Sequence, residues 1–110
     1  MQELLENIAE FLDSGEENLK KERYNAAVSD FFKAIVILCD YLIYKEIKIM
    51  SKNHNERFSL LEKYFKDVYK HVSELFKTYT KSYNLRLGKE EAIKLKNYAN
   101  ELKDSIIGKK

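Results

Sequence analysis

Apolar residues crowd most densely between Ala26 and Tyr44, where AAVSDFFKAIVILCDYLIY leaves few polar positions. Ala27, Phe31, Ala34, Ile35, Leu38 and Leu42 recur at the i, i+3, i+4, i+7 spacing of a buried helix face. Phe32, Val36, Cys39, Ile43 and Ile47 form a second apolar strip beside the first, broader than a helix with neighbours on one side needs. The pattern predicts a central helix, capped at its start by Asn25 and running to about Met50, with part of the second strip shared with another subunit. Its polar line runs through Asp30, Lys33, Asp40 and Lys48.

On either side the same period continues. From Gln2 to about Lys21, Leu4, Ile8, Phe11, Leu12, Gly15 and Leu19 share one face, and Glu3, Glu6 and Glu10 sit near the start, where the helix dipole favours acids. Gly15 lies inside that apolar stripe, where a missing side chain lets another helix approach closely. The short KKERYN connection makes the first two helices an antiparallel hairpin. Asn53 and Glu56 have capping-box spacing and open a third helix, whose face of Phe58, Leu61, Phe65, Val68, Val72, Leu75, Phe76 and Tyr79 extends it to about Thr80. TKSYNLRLG is a loop closed by Gly88, and Glu90 and Glu91 mark the first turn of a last helix built on Ala92, Leu95, Ala99, Leu102 and Ile106. The terminal GKK is expected to fray.

These elements predict an all-α, single-domain up-down bundle of four main helices over residues 1–110. The chain of 110 residues holds one core, and no proline and three glycines leave little to interrupt helix. No apolar run reaches bilayer length, so a cytoplasmic protein away from the membrane is expected. A single cysteine, Cys39, excludes an intrachain disulfide and a multi-thiolate metal site; no metal or other cofactor is expected. With 20 basic and 18 acidic residues the net charge is +2, so total charge does not argue for nucleic acid; only its placement could.

Lys63, Lys66, Lys70, Lys77 and Lys81 fall in one narrow sector of the expected third helix, where aligned cations could follow a phosphate backbone. Tyr79 and Tyr83, beside Lys81 and Arg86, could stack bases. Against this, Glu62, Asp67 and Glu74 border or interrupt the stripe, as on any solvated face. Asp30, Lys33 and Asp40 border apolar surface on the central helix and are expected to pair with one another, to pair across a dimer or to line a cleft. His54 sits beside two asparagines and near Arg57, in a loop that either caps a helix or binds. His71 borders an apolar face and is expected to be a packed or half-exposed histidine without a functional role. Neither histidine shows metal-pair spacing or a nucleophile and base nearby, and no glycine-rich phosphate cradle occurs.

Gly15, Ala27, Phe31 and Ala34, with Tyr24 at the turn, resemble one unit of a tetratricopeptide repeat. The whole chain resembles the HEPN family of small helical bundles. The resemblance is carried by the amphipathic start, ERYNAAVSDFFKAIVIL, the histidine of SKNHNERFSLLEKYF and the tyrosine-bearing turn of TKSYNLRLGKEEAIKL. It implies a homodimer acting in RNA cleavage or beside a nucleotidyltransferase partner, with a nucleotide or RNA close by. Nuclease members of that family carry an arginine followed at short spacing by a histidine. Arg23, Arg57 and Arg86 lack one, and TYTKSYN holds tyrosines and lysines where that pair would stand. The resemblance therefore implies a binding or regulatory domain without its own catalysis, with Asp40 matching the acidic position of the family's second helix. A repeat-like protein-interaction module and a divergent ribonuclease are the alternatives.

Overall fold

The computed structural model describes residues 1–108; Lys109 and Lys110, the end of the expected frayed tail, lie outside the described residues. The chain forms α1 (Gln2–Lys20), α2 (Tyr24–Ile47), α3 (His54–Tyr64), α4 (Lys66–Lys81) and α5 (Lys89–Ile106). The 24 residues of α2 span about 36 Å at about 1.5 Å rise per residue, close to the molecule's longest dimension of 38 Å. All four other helices pack on it. Ala27, Phe31, Ala34, Ile35 and Leu38 are fully buried, with Leu42 half-buried, so the expected stripe is the core.

The second strip is covered within the same chain. Phe32, Cys39 and Ile43 are buried, while Val36 and Ile47 are half-buried and pack on the core. Phe32 stacks on Tyr79 of α4, with ring centroids 4.7 Å apart and planes 13° from parallel. A second subunit is therefore not needed to cover Phe32, Cys39 and Ile43, because α4 and α5 of the same chain pack on α2.

Three expected boundaries shift. Asn25 does not cap α2, which starts two residues earlier than expected, at Tyr24 behind Arg23. Its amide instead donates to the carbonyls of Ser82 and Leu85, at 2.9 and 2.7 Å, and its Oδ1 accepts from the Leu87 amide. One side chain thus pins the loop before α5 to the start of α2. At its other end α2 stops at Ile47 rather than Met50, because Lys48 turns left-handed (φ 61°) while its amide still bonds the Tyr44 carbonyl.

The third shift changes the helix count. The expected third helix breaks at Phe65, whose backbone (φ −138°, ψ 67°) leaves the helical region, so among the described residues five helices stand where four were expected. No glycine or proline forces the break; tertiary packing outweighs local propensity, since Leu61 before it and Val72 and Leu75 after it are all buried. The start of α3 follows expectation: Asn53 Oδ1 accepts from the Glu56 amide at 2.9 Å. Glu56 reaches back to the amide of Lys52, at 2.6 Å, one residue further than a standard box. At α5, Glu91 accepts from the Gly88 amide.

Gly15 of α1 lies directly against Phe31 of α2. A Cβ there would lie 2.6 Å from Cε1 of the buried Phe31, so the absent side chain makes the room that the aromatic ring fills. Lys96 of α5 reaches Glu16 of α1 at 3.2 Å, closing the bundle on that side. Among the described residues no helix is long and apolar enough to cross a membrane.

Candidate binding site

Where α3 and α4 cross α2, they bring together residues from four helices. The cavity there has a volume of about 280 Å³ and is walled by Phe11 of α1, by Phe32, Val36 and Ile37 of α2, and by Phe76 and Tyr79 of α4. Its polar lining is Lys33, His54 and Arg57. Three of the residues singled out in the sequence, Lys33, His54 and Tyr79, therefore meet in one place.

His54 is the first residue of α3 rather than part of a free loop, because Asn53 caps the helix behind it. Its imidazole packs between Phe58 and Phe76, at centroid distances of 4.4 and 4.6 Å. The Nε2 atom is buried and has no hydrogen-bond partner among the described residues. Burial, and then the charge of Arg57, lower the His54 pKa, so the ring is held neutral at physiological pH. A neutral imidazole offers one donor and one acceptor, and here one of the two is left unused.

Asp40 lies behind this cavity rather than in it. Arg57 donates through Nε and Nη2 to its two carboxylate oxygens at 2.7 and 3.0 Å, and Ser51 Oγ donates to Oδ1 at 2.6 Å. The pair locks α3 and the preceding loop onto α2, and it matches the charge of Arg57 before any ligand arrives. Lys33 is exposed, with its ammonium 5.5 Å from the centre of the Phe11 ring, and no carboxylate pairs with it among the described residues.

Tyr83 joins at the rim. Its hydroxyl and that of Tyr79 are 2.8 Å apart, an interaction that, with burial, raises the pKa of Tyr79. Tyr83 itself is 75% exposed, a free aromatic face next to the cavity. Asp30 is not part of the cluster: it accepts from Ser14 Oγ and Asn18 Nδ2 of α1, at 2.7 and 2.8 Å, and serves the α1–α2 contact. The polar line Asp30, Lys33, Asp40 is thus divided among three tasks.

The lysine stripe is divided too. Lys66, Lys70, Lys77 and Lys81 are exposed along α4, whereas Lys63 belongs to α3, on the other side of the break, with its ammonium 5.2 Å from the Tyr64 ring. Lys77 pairs with Glu74 at 3.3 Å, and Lys70 edges a groove of about 620 Å³ between α4 and α5. On that groove His71 is exposed and stacks on Tyr98, centroids 4.9 Å apart, with Nδ1 2.9 Å from the Asp67 carbonyl.

The nucleophiles of this region are occupied or quenched. Ser51 donates to an Asp40 carboxylate already held by Arg57, and burial, then the neighbouring Asp40 charge, push the Cys39 thiol up to about 12. Among the described residues no group of three or more His, Cys, Asp or Glu side chains is arranged to hold a metal ion. The arrangement can bind a ring and a negative charge. Sequence reasoning missed the aromatic walls of Phe11, Phe32 and Phe76, since each sits on a stripe that reads as core. The aromatic spacing Phe58, Phe76, Tyr79, Tyr83 was the available signal. Compared with protein-family models, with curated proteins and with solved structures, the chain finds no match in any of the three.

Proposed function

We propose that the chain is a non-catalytic binding or regulatory domain of HEPN type, acting close to a nucleotide or RNA, with the cavity between α2, α3 and α4 as its ligand site. The observation that carries this reading is the meeting of Lys33, His54 and aromatic walls in one cavity. Bases bind by stacking on aromatic faces and by hydrogen bonds to their edges, and phosphates by cations. Tyr83 at the rim and the exposed lysines of α4 extend the same chemistry along the surface. A nucleotidyltransferase partner and a homodimer belong to this proposal through the resemblance alone.

The test is titration of nucleotides and of a short single-stranded RNA into isotopically labelled protein at low salt. Signals of Lys33, His54 and Tyr79 should move, and RNA affinity should fall steeply as salt rises. Replacing Lys66, Lys70 and Lys77 by Gln should lower both RNA affinity and the salt slope while leaving folding nearly unchanged. No response to any nucleotide or to RNA at millimolar concentration would remove the reading. The close seat of Phe31 on Gly15 favours a second one, a tetratricopeptide-like protein-interaction module, which in that case takes its place.

A further inference from the structure

Between α4 and α5, which both pack on α2, lies a second pocket of about 250 Å³. Its polar lining is Asp67 and His71 of α4 with Tyr98, Glu101 and Ser105 of α5, none of which lines the cavity between α2, α3 and α4. The hydrogen bonds already made here leave acceptors behind. His71 Nδ1 lies 2.9 Å from the Asp67 carbonyl, which can only accept, so Nδ1 carries the proton and Nε2 of the neutral ring is left as an acceptor. Ser105 donates its hydroxyl hydrogen to the Leu102 carbonyl at 3.2 Å, which leaves its oxygen to accept. Asp67 and Glu101 are exposed carboxylates with no ion-pair partner among the described residues.

Tyr98 is 9% exposed, and its hydroxyl makes no hydrogen bond among the described residues, so it is the one side-chain donor left in the lining. Burial, then the charges of Cys39, Glu101 and Asp67, raise its pKa, which puts both carboxylates near enough to act on that hydroxyl. The exposed imidazole of His71 covers the Tyr98 ring with planes 10° apart, so the stack presents an aromatic face to solvent. No lysine or arginine lines this pocket; Lys70 and Lys94 enter only in the wider groove of about 620 Å³ with which it shares the stack. We infer that the pocket binds an organic cation, a single ammonium or guanidinium head that lies against the His71–Tyr98 stack and donates to Asp67, Glu101 and His71 Nε2. Such a head carries three or five N–H donors and no acceptor, the complement of a lining that mostly accepts. An aromatic face favours an organic cation, and no three His, Cys, Asp or Glu side chains among the described residues are arranged to hold a metal ion.

Titration of the isotopically labelled full chain at low ionic strength, followed by NMR, tests this with putrescine, agmatine and a blocked arginine, N-acetylarginine methylamide, as probes. Signals of Asp67, His71, Tyr98 and Glu101 should shift and saturate, while potassium chloride at equal concentration should not saturate them. The double variant Asp67→Asn, Glu101→Gln changes only exposed positions and should weaken agmatine binding at least about fivefold with folding nearly unchanged. His71→Ala, which removes the aromatic face, should weaken it about two- to fivefold. Blocked arginine binding as tightly as agmatine would assign the head to a side chain of a partner protein; much tighter agmatine would assign it to a free amine, and both outcomes support the cation site. Shifts that potassium reproduces, or binding that survives the double variant unchanged, would overturn the inference. Neither result bears on nucleotide or RNA binding at the other cavity.

Discussion

Arg57 grips Asp40 with two nitrogens on two oxygens, at 2.7 and 3.0 Å, and each side chain keeps only 13% of its surface exposed. Such a pair gains little over an apolar contact when whole, but breaking it leaves a half-buried charge without a partner. Asp40→Ala should therefore cost about 2 kcal/mol in urea unfolding, and Asp40→Asn a similar amount. The double variant Asp40→Ala, Arg57→Ala should lose less than the two single losses added. Strict additivity would mean that the two side chains do not interact in solution.

Gly15→Ala should destabilise the protein despite the better helix propensity of alanine. The gain of about 1 kcal/mol in propensity is outweighed by overpacking, which costs about 1–3 kcal/mol where a methyl group meets a fully buried ring. Thermal melting should show a lower Tm, partly restored when Phe31→Leu is added. A raised Tm in the single variant would mean that α1 can slide away from α2 at little cost.

His54 should make folding sensitive to mild acid. Its pKa is lowered in the folded protein, so the unfolded chain takes up a proton more readily, near the ordinary value of about 6.5. The contribution to stability is full above that value and is lost as pH falls below it. Among the described residues the titratable groups that line the cavity with it, Arg57, Lys33 and Tyr79, supply no carboxylate to offset the imidazolium. Chemical unfolding of wild type and His54→Gln at pH 7.5 and pH 5 should show the wild type losing more stability on acidification. Equal losses would assign the pH dependence to carboxylates elsewhere.

Lys48 holds a left-handed conformation, with φ 61° and ψ 30°, at the end of α2. For an L residue with a side chain this conformation costs about 1 kcal/mol or more, and glycine removes the steric part. Lys48→Gly should raise stability by up to about 1 kcal/mol, offset in part by the greater freedom glycine has in the unfolded chain. A clear loss of stability would show that contacts of the lysine, such as its ammonium 5.7 Å from the Tyr44 ring centre, outweigh the strain.

Elements whose apolar period runs unbroken were legible in the sequence. The stripe of α5, Ala92, Leu95, Ala99, Leu102 and Ile106, is buried throughout, and the start of α3 at Asn53 and Glu56 follows local hydrogen bonding. Features set by distant partners were not. Asn25 has every property of a helix cap, yet its amide is spent on a loop some sixty residues away in sequence. Asp30 and Lys33 share a line on the helical wheel, but Ser14 and Asn18 of α1 claim the first. Lys33, His54 and Tyr79 come together only because three helices cross, and no spacing along one helix records a crossing.

The interruption at Phe65 also sets where this chain can tolerate a change in length. Within a continuous helix, one added residue swings everything beyond it by about 100° around the axis. In the middle of α4 such an insertion would carry Val72 or Leu75 out to water. At Phe65 the helical phase is already reset by a non-helical backbone, so α3 and α4 keep independent orientations. An extra residue there should be absorbed as a longer corner. Length variation between related chains of this architecture would accordingly gather at that corner, and the two helices flanking it would drift apart in sequence as separate units.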